Sequence, residues 1–286
     1  MDKIANVQSI LEILNKTVAY FQSKGVPDAK LDAQLLLAHV MQCKRLELFL
    51  HFEDPVLPEK LDVFRELVRR RAKREPLQHI LGTSEFFGIT LNCDARALIP
   101  RPETEYLCEL LVEKYLCKDV QAEFSVLELG VGTGAISLAL KNHFPNAKIV
   151  GVDVSSKALE LATENANKLN LDVEFLQSDW FENVSGKFDL IVSNPPYLSD
   201  SEVESAEPEV KDFDPLTALR SDDNGIADLR KILGQAPDYL NDNGLLACEC
   251  GVNQPEILAE EFSAKYKKIE SVNDMSQRSR YVFASV

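Results

Sequence analysis

The sequence predicts an α/β protein, in which helices cover both faces of a mostly parallel sheet and a small all-helical domain comes first. Two observations support this prediction. After Ser125, apolar segments of strand length alternate with segments of helical periodicity, and crossovers of that kind make successive strands parallel. Over the first 75 residues or so, only helical periodicity and turn residues occur.

Length and composition restrict the classes of protein to which this chain can belong. The 286 residues, of which 45% are apolar and 27% charged, correspond to about two globular domains. No segment approaches the roughly 18 apolar residues of a membrane helix. The first six residues also lack a basic segment leading into an apolar one. We therefore expect a cytoplasmic protein without membrane contact, and we expect a monomer.

The formal net charge of −15 argues against general binding of DNA or RNA, which needs Lys and Arg next to phosphates. A protein or a small molecule is the expected partner, and no direct sequence-specific nucleic-acid binding is expected. The cysteines lie among apolar neighbours without a matching His or Cys cluster, so we expect neither disulfides nor a metal site. They are Cys43, Cys93, Cys108, Cys117, Cys248 and Cys250.

Three helices are predicted in the first part of the chain. The first ends near Gly25 and Pro27, and its apolar stripe consists of Ile4, Val7, Leu11, Leu14, Val18 and Phe21. Asp28 is a candidate N-cap of the second helix, and the third begins near Pro58. The expected core face of the second helix is Leu31, Leu35, Leu36 and Val40. His39 and His51 stand alone and are interpreted as structural.

One local basic run occurs in this acidic chain, at residues 65–74. It consists of Arg65, Arg69, Arg70, Arg71, Lys73 and Arg74. A solvated helix face is the ordinary interpretation of such a run. The functional alternative is a docking patch for a partner that is acidic or bound to nucleic acid.

Short extended segments replace helices between residues 84 and 100, and apolar residues around Gly88 predict a β-hairpin. The motif Ile-Pro-Arg-Pro-Glu-Thr-Glu follows at residues 99–105, where Glu103 or Thr104 is expected to begin a helix. These changes divide the chain into three expected parts. They are a helical domain at 1–80, a hairpin linker at 81–105 and the α/β domain at 106–286.

Strands and helices alternate through the rest of the chain. The predicted strands are 126–129, 148–152, 173–177, 188–193, 245–250, 266–272 and 280–285. The predicted helices are 135–143, 156–169, 225–240 and 255–264. The last three strands are consistent with a closing hairpin at the sheet edge.

The first strand of this series ends in the glycine-rich loop Glu-Leu-Gly-Val-Gly-Thr-Gly-Ala, residues 128–135. Its glycines allow close approach of a ligand and positive φ angles. The loop alone is a weak signal, because a packing turn has the same composition. Asp153 strengthens it, because an acidic residue at the end of the next strand accepts from both ribose hydroxyls in nucleotide-binding sheets.

The third and fourth strands also end in polar residues. Asp179 is placed to accept from an adenine amino group, with Trp180 against the ring, although an ordinary polar loop looks the same. The fourth strand leads into Asn-Pro-Pro-Tyr at residues 194–197. The carboxyl ends of adjacent parallel strands form the rim at which open α/β sheets bind ligands, so we expect all four loops in one site.

Residues 194–197 have the chemistry to hold a planar NH₂ group. Two successive prolines lack N–H donors, so the loop offers mainly carbonyl acceptors. The side-chain oxygen of Asn194 and the carbonyl of Pro195 can accept the two hydrogens of an amide or a ring-bound amine. Tyr197 offers an aromatic face to the same flat group. The alternative is that Asn-Pro only begins a turn.

The glycine spacing indicates which nucleotide is expected. The chain has G-x-G-x-G, whereas the dinucleotide fingerprint is G-x-G-x-x-G and seats a pyrophosphate. No later segment supplies a nicotinamide site. A nucleoside ligand without pyrophosphate therefore fits better than NAD.

Taken together, the motifs resemble class I S-adenosylmethionine-dependent methyltransferases. More narrowly, they are similar to the N5-glutamine methyltransferases of class-1 peptide-chain release factors, the PrmC (HemK) family. The resemblance covers nearly the whole chain, and the segments that carry it are 32–36, 99–105, 128–134, 178–181, 193–197 and 212–219. It implies a Rossmann-like, mostly parallel sheet of seven strands and methylation of the glutamine in the Gly-Gly-Gln motif.

The resemblance also implies roles for individual residues. S-adenosyl-L-methionine is expected to contact Glu128, Gly130, Val131, Gly132, Thr133, Gly134, Asp153, Asp179, Trp180 and Asn194. The glutamine amide is expected at Asn194, Pro195, Pro196 and Tyr197. Of these, Asn194, Pro195 and Tyr197 are the expected catalytic residues, and no metal is implied.

Two departures from the family pattern concern only local loops. The chain has Cys250 within Glu-Cys-Gly where a histidine is common, and Gln277 where a glycine is common. Three other functions compete with the one implied. They are methylation of a ribosomal-protein glutamine, methylation of adenine N6 in DNA, and a non-catalytic adaptor that retains the cofactor fold. The DNA enzyme would need a basic recognition region.

Overall fold

The computed structural model describes residues 8–116 and 119–286, which cluster into two compact units divided between Gly82 and Thr83. The predicted stripe positions Ile4 and Val7, and Cys117, lie outside the described residues. Each unit has its own apolar core. Within the described residues, no helix is both long enough and apolar enough to cross a bilayer.

The first unit is helical. Its helices are α1 (Ile10–Ser23), α2 (Ala29–Met41), α3 (Pro58–Ala72) and α4 (Leu77–Leu81), with a 3-10 turn at Arg45–Leu50. The hydroxyl of Ser9 accepts the N–H of Glu12 and so caps α1, while Pro58 occupies the first turn of α3. The core contains the fully buried side chains of Phe21 and Phe64.

The predicted core face of α2 is wrong at Leu31, which keeps 41% of its surface exposed. The buried face is turned toward Asp32, which lies next to Leu31 in the sequence. The carboxylate of Asp32 accepts from Nε of Arg71 at 2.7 Å, and both side chains are buried. Asp28 stands at the N-cap position of α2 but makes no side-chain capping bond.

The basic run at residues 65–74 is largely neutralised within the helical unit. Arg65 and Arg69 each bond to a carboxylate three residues earlier, and Arg70 bonds to Glu75 at 2.9 Å. Arg71 is buried in the ion pair with Asp32. These pairings favour the interpretation of the run as an ion-paired helix face over that of a free docking patch.

The second unit begins with an antiparallel hairpin, β1 (Thr83–Phe86) and β2 (Ile89–Asn92). Its remaining strands are β3 (Ser125–Leu129), β4 (Lys148–Asp153), β5 (Glu174–Gln177), β6 (Phe188–Ser193), β7 (Leu240–Glu249), β8 (Lys268–Asn273) and β9 (Ser279–Ser285). Its longer helices are α5 (Pro102–Leu110), α6 (Ala135–His143), α7 (Ser156–Leu169), α11 (Ala227–Tyr239) and α12 (Gln254–Glu261). Short helices α8 (Asp200–Ser205), α9 (Pro208–Lys211) and α10 (Asp222–Gly225), a π-helical turn at Leu111–Leu116 and a 3-10 turn at Leu216–Ala218 complete it.

Strands β3 to β9 form one seven-stranded sheet in the order β5-β4-β3-β6-β7-β9-β8. The first five strands of that order are parallel, and β9 pairs antiparallel with both β7 and β8. The sheet confirms the predicted fold class. The order also makes β5, β4, β3 and β6 neighbours, so their carboxyl ends lie side by side.

Both faces of the sheet are covered. Along β3, Val126 belongs to one core cluster, whereas Leu127 and Leu129 belong to the cluster on the opposite face. Burial on both faces explains the continuous apolar runs of the parallel strands.

Two predicted boundaries differ from the structure. Helix α5 begins at Pro102, not at Glu103 or Thr104, because the fixed φ of proline suits the first helical position. Strand β7 begins at Leu240, which pairs with Phe188 before the register shifts and Leu245 pairs with Leu190. The polar residues 241–243 follow directly after Leu240 and hid the start of the strand from the apolar pattern.

Candidate active site

The ends of the first four parallel strands enclose one cleft with an empty volume of about 1330 Å³, its open mouth included. Many of the predicted site residues line it. They are Glu128, Gly130, Val131, Gly132, Thr133, Asp153, Asp179, Trp180, Asn194 and Pro196. Gly134, Pro195 and Tyr197 are not among the lining residues.

Gly134 has a structural explanation. It caps α6 with φ of +83°, and a Cβ atom there would lie 3.0 Å from Cδ1 of Leu138 and 3.3 Å from Cβ of Ala162. A side chain at this position would be strained and would press on two packed neighbours. Gly134 therefore shapes the turn into α6.

Asp153 ends β4 with its carboxylate already oriented. Oδ2 accepts the N–H of Gly132 at 2.9 Å, and Oδ1 accepts the N–H of Ser155 at 2.8 Å. Burial raises the pKa of Asp153, and these backbone donors oppose that rise. Each oxygen has a second lone pair, so the carboxylate can accept from two further donors, such as vicinal hydroxyls.

Glu128, at the end of β3, is a buried carboxylate in the wall of the cleft. Its Oε2 accepts the N–H of Ser137 at 2.8 Å and also the hydroxyl of Ser137. Burial nevertheless raises the pKa of Glu128 to about 8. A cationic group in the cleft would stabilise the ionised form, so this position suits a positively charged part of a ligand.

Trp180 and Asp179 lie at the end of β5 and are held by α11. The indole N–H of Trp180 donates to Asp228 at 3.1 Å, and Ser221 donates to the same carboxylate at 2.6 Å. Asp179 accepts from Nζ of Lys231 at 2.8 Å. One oxygen of Asp179 is therefore paired within the protein.

Asn194 begins the loop after β6, and its side chain is part of a polar chain. Nδ2 of Asn194 donates to Oγ1 of Thr104 at 2.9 Å. The hydroxyl of Thr104 in turn donates to Oε2 of Glu249 at 2.7 Å. Thr104 belongs to the motif at 99–105 and Glu249 ends β7, so two segments distant in sequence hold one amide.

The side chain of Tyr197 is held by two other strands of the sheet. Its hydroxyl donates to Oε1 of Glu249 at 3.0 Å and accepts from Nη2 of Arg280 at 2.9 Å. The Arg280 guanidinium lies 5.0 Å from the centre of the Tyr197 ring. The hydroxyl therefore has its partners at the end of β7 and in β9, and these contacts fix the direction of the ring. Pro195 is buried, whereas Tyr197 is half-buried.

The loop after Tyr197 is held by the segment 212–219. The N–H of Leu198 donates to the carbonyl of Leu219 at 2.9 Å. Arg101 donates to Asp214 at 2.6 Å, and burial raises the pKa of Asp214 to about 6. Gln254 adds a bond of 3.0 Å from its Nε2 to the carbonyl of Tyr197. Three segments thus fix the position of the Asn194 loop.

Sequence reasoning missed several of these supporting residues. They are Thr104, Asp228, Glu249, Gln254 and Arg280. Only Glu249 carried a usable signal, since it is an acidic residue inside the apolar strand segment at 245–250. A charged residue in a buried strand needs partners, and that need predicts a polar network.

Comparisons with known proteins identify the family. Residues 12–82 match the family model described as the PrmC N-terminal domain, and residues 105–208 match the methyltransferase small domain. The release factor glutamine methyltransferase of Haemophilus influenzae is 42% identical over 283 residues, which cover 94% of this chain and 96% of that protein. The chain belongs to the release factor glutamine methyltransferase family. The protein of the same name from Geobacter sulfurreducens is 39% identical over 92% of this chain and 91% of its own length. The predicted resemblance is confirmed.

Solved structures agree on the fold. A methyltransferase from Pyrococcus furiosus has a TM-score of 0.54 at 19% identity and covers 76% of this chain and 98% of its own. The 16S rRNA N2 G1207 methyltransferase of T. thermophilus, solved with AdoMet and guanosine, has a TM-score of 0.52 at 20% identity. It covers 71% of this chain and 49% of its own. These likenesses show the methyltransferase fold.

The departures from the family pattern lie outside the cleft lining. Cys250 is fully buried, and its thiol points to the carbonyl of Cys248 at 3.7 Å. Gln277 adopts a positive φ of 61°, a conformation that glycine adopts without strain. Among the described residues, no group of three or more His, Cys, Asp or Glu side chains has the arrangement of metal ligands.

Proposed function

We propose that this protein transfers a methyl group from S-adenosyl-L-methionine to the side-chain amide nitrogen, N5, of the glutamine in the Gly-Gly-Gln motif of class-1 release factors. The observation that carries the proposal is the placement of Asn194 in the same cleft as Glu128 and Asp153. The cleft thereby contains both a hydrogen-bond acceptor for a substrate amide, Asn194, and two carboxylates for a cationic nucleoside, Glu128 and Asp153. Membership of the release factor glutamine methyltransferase family supports the same reaction.

The residues of the cleft fit the proposed cofactor. Asp153 has free lone pairs for two ribose hydroxyls, and the carboxylate of Glu128 suits the cationic methionine part. Trp180 and Asp179 stand where the adenine would lie against the end of β5. When bound, S-adenosyl-L-methionine supplies a methyl group attached to a sulfonium sulfur, and the carbon of that methyl group is already strongly electrophilic.

The protein's main task is then to orient a poor nucleophile. An amide nitrogen has its lone pair in conjugation, so the side-chain oxygen of Asn194 would accept one amide hydrogen and the carbonyl of Pro195 the other. Positioning of this kind contributes up to roughly 7–11 kcal/mol in favourable cases. No general base is required, because an alkylated amide loses its proton readily. Tyr197, whose hydroxyl bonds to Glu249 and Arg280, would hold the loop at residues 194–197 in place.

The competing substrates are less consistent with the chain. A DNA adenine methyltransferase shares the chemistry of residues 194–197, but the net charge of −15 opposes binding to a polyanion. Methylation of a ribosomal-protein glutamine would use a similar pocket. The motif at residues 101–105 and the names of the relatives favour the release factor.

The helical part, residues 1–80, is the proposed docking domain for the release factor, with a linker at 81–105 and catalysis at 106–286. Several large apolar side chains of the helical unit are exposed, as expected of a surface that contacts another protein. They are Leu46, Phe49, Leu50 and Leu57. The substrate would place the reaction in the cytoplasm, and the proposed monomer can be tested by light scattering.

Methyl transfer from labelled cofactor tests the proposal directly. The purified protein is incubated with a release factor that carries Gly-Gly-Gln or with the same factor carrying Gly-Gly-Ala. We expect one labelled methyl group per Gly-Gly-Gln factor, located on the glutamine side chain by fragmentation mass spectrometry, and none on the alanine variant. Labelling of the alanine variant, or no labelling of either, would overturn the proposal.

A further inference from the structure

Asn194 is linked to the interior of the protein through two other side chains. The hydroxyl of Thr104 lies 2.9 Å from Nδ2 of Asn194 and 2.7 Å from Oε2 of Glu249. Thr104 is only 4% exposed, and Glu249 is fully buried. Water therefore does not compete for these hydrogen bonds, and each buried polar group must find its partner within the chain.

The chemistry of the three groups sets the direction of this chain of bonds. A carboxylate can only accept, so the single proton of the Thr104 hydroxyl goes to Glu249. The oxygen of Thr104 must then accept a hydrogen from Asn194. Only the NH₂ end of the Asn194 amide can donate one, so its Oδ1 is left for the cleft.

A second hydroxyl and a cation keep Glu249 in the accepting form. Tyr197 donates to Oε1 at 3.0 Å, and Nη2 of Arg280 lies 3.5 Å from the same oxygen. Burial raises the pKa of Glu249, but Arg280 and the two hydroxyl donors oppose that rise. The nearby Glu103 acts in the opposite direction. The two hydroxyl donors and the Arg280 cation all stabilise the ionised, accepting form of Glu249.

We propose that Glu249 and Thr104 are positioning residues that determine which end of the Asn194 amide faces the substrate. This inference rests on the proposed function, because an outward Oδ1 serves a substrate that offers N–H hydrogens. If the chain of bonds ran the other way, Asn194 would present its own NH₂ group to the substrate amide. Two donors would then face each other, and the amide could not be held.

The substitution Glu249→Gln tests the direction while preserving size. A glutamine can keep Tyr197 as a donor to its oxygen and donate from its own NH₂ to Thr104. Thr104 can then donate to Asn194 and reverse the amide. Thr104→Val removes the connecting hydroxyl at nearly constant volume, whereas Thr104→Ser retains it. Glu270→Gln is the matched control, since Glu270 accepts from Tyr115 at 3.0 Å in a similar Tyr–Glu bond on β8.

The first measurement observes Asn194 itself and needs no substrate. The side-chain ¹⁵NH₂ signal of Asn194, assigned by its absence in Asn194→Ala, should show one hydrogen protected from solvent exchange in the wild type. We expect that protection to disappear in Glu249→Gln and Thr104→Val and to persist in Thr104→Ser and Glu270→Gln. Unchanged protection in Glu249→Gln would overturn the inference, whatever the substrate of the enzyme.

The second measurement is turnover with the Gly-Gly-Gln release factor. We expect Glu249→Gln and Thr104→Val each to lower kcat at least tenfold while the affinity for S-adenosyl-L-methionine changes less than threefold. The variant that combines Glu249→Gln with Thr104→Val should be no slower than Thr104→Val alone. Without the hydroxyl of Thr104, the charge of Glu249 no longer acts on Asn194. Additive losses would indicate a merely structural role and overturn the inference. A wild type that does not methylate this factor would refute the proposed function, whereas the exchange measurement would still decide the direction of the amide.

Discussion

The carbonyl oxygen of Tyr197 packs directly against Gly225, where a Cβ atom would come within 2.2 Å of it. Gly225 has φ of +85° and precedes α11, while Tyr197 ends the loop that begins with Asn194. Since backbone cannot move aside as a flexible side chain can, a residue with a Cβ would displace the loop. Gly225 thus helps to determine where the substrate amide would lie.

Gly225→Ala should therefore reduce turnover by about tenfold or more, because misplacing a reacting group by about 1 Å costs up to 100-fold. Cofactor affinity, measured by calorimetry, should fall much less. Gly186→Ala is the matched control, because Gly186 also has a positive φ, of +88°, but a Cβ there meets no atom within 4 Å. Equal losses in the two variants would show that backbone strain, and not the contact with Tyr197, is responsible.

Asn194→Ala should lower kcat by about 100-fold, the typical cost of removing one hydrogen-bonding group aimed at developing charge. Cofactor binding should weaken far less, because Glu128 and Asp153 remain. Asn146→Ala, which removes an exposed asparagine bonded to Gln121, controls for a general effect. Single-turnover rates separate the chemical step from binding. A near-normal rate in Asn194→Ala would remove Asn194 from the mechanism.

Asp153→Ala should weaken binding of S-adenosyl-L-methionine by about 10–100-fold, as expected for the loss of charge-assisted hydrogen bonds. Calorimetry with 5′-methylthioadenosine and its 2′,3′-dideoxy analogue localises the effect to the ribose. The wild type should prefer the hydroxylated ligand strongly, and the variant should bind both with similar affinity. A variant that kept the preference would show that other groups bind the hydroxyls.

The fold and the cofactor half of the site were predictable because they depend on local patterns. Strand and helix periodicity sets the sheet, and the carboxyl ends of its strands expose Asp153 and Asn194 in one rim. The position of Tyr197 was not predictable in this way. Its hydroxyl bonds to Glu249 and Arg280, which lie 52 and 83 residues away in sequence. Residue type shows that a buried hydroxyl needs a partner, but not which distant residue provides it.

The same limit explains the error at Leu31. An apolar stripe predicts the buried face of a helix when polar residues remain in water. Here Asp32 is buried because Arg71, on another helix 39 residues later, neutralises it. The pairing of two charges overrode the hydrophobic pattern.

Arg71→Met should destabilise the helical unit by about 3–5 kcal/mol, since it removes the buried cation that is paired with the buried carboxylate of Asp32. Adding Asp32→Leu should recover most of the loss, because an apolar pair of similar volume replaces the ion pair. Urea unfolding of these two variants measures both effects. An Arg71→Met variant as stable as the wild type would contradict the importance of this ion pair. Arg65→Met is the control, because it removes an exposed ion pair and should change stability by less than about 1 kcal/mol.

Glu128→Gln should make the cofactor-free protein more stable at pH 8.5 but not at pH 5. The pKa of Glu128 is about 8 in the folded protein, compared with about 4.3 in an unfolded chain. The folded state therefore holds the proton more tightly than the unfolded state does. The stability that this proton contributes is lost as the pH rises through the folded-state pKa of about 8. A glutamine keeps the oxygen that Ser137 bonds and carries no charge to bury. Thermal unfolding at the two pH values measures the difference, and equal melting temperatures at pH 8.5 would contradict it. The same variant should bind the cationic cofactor more weakly at pH 8.5, because the charge that destabilises the empty cleft is the charge that its ligand neutralises.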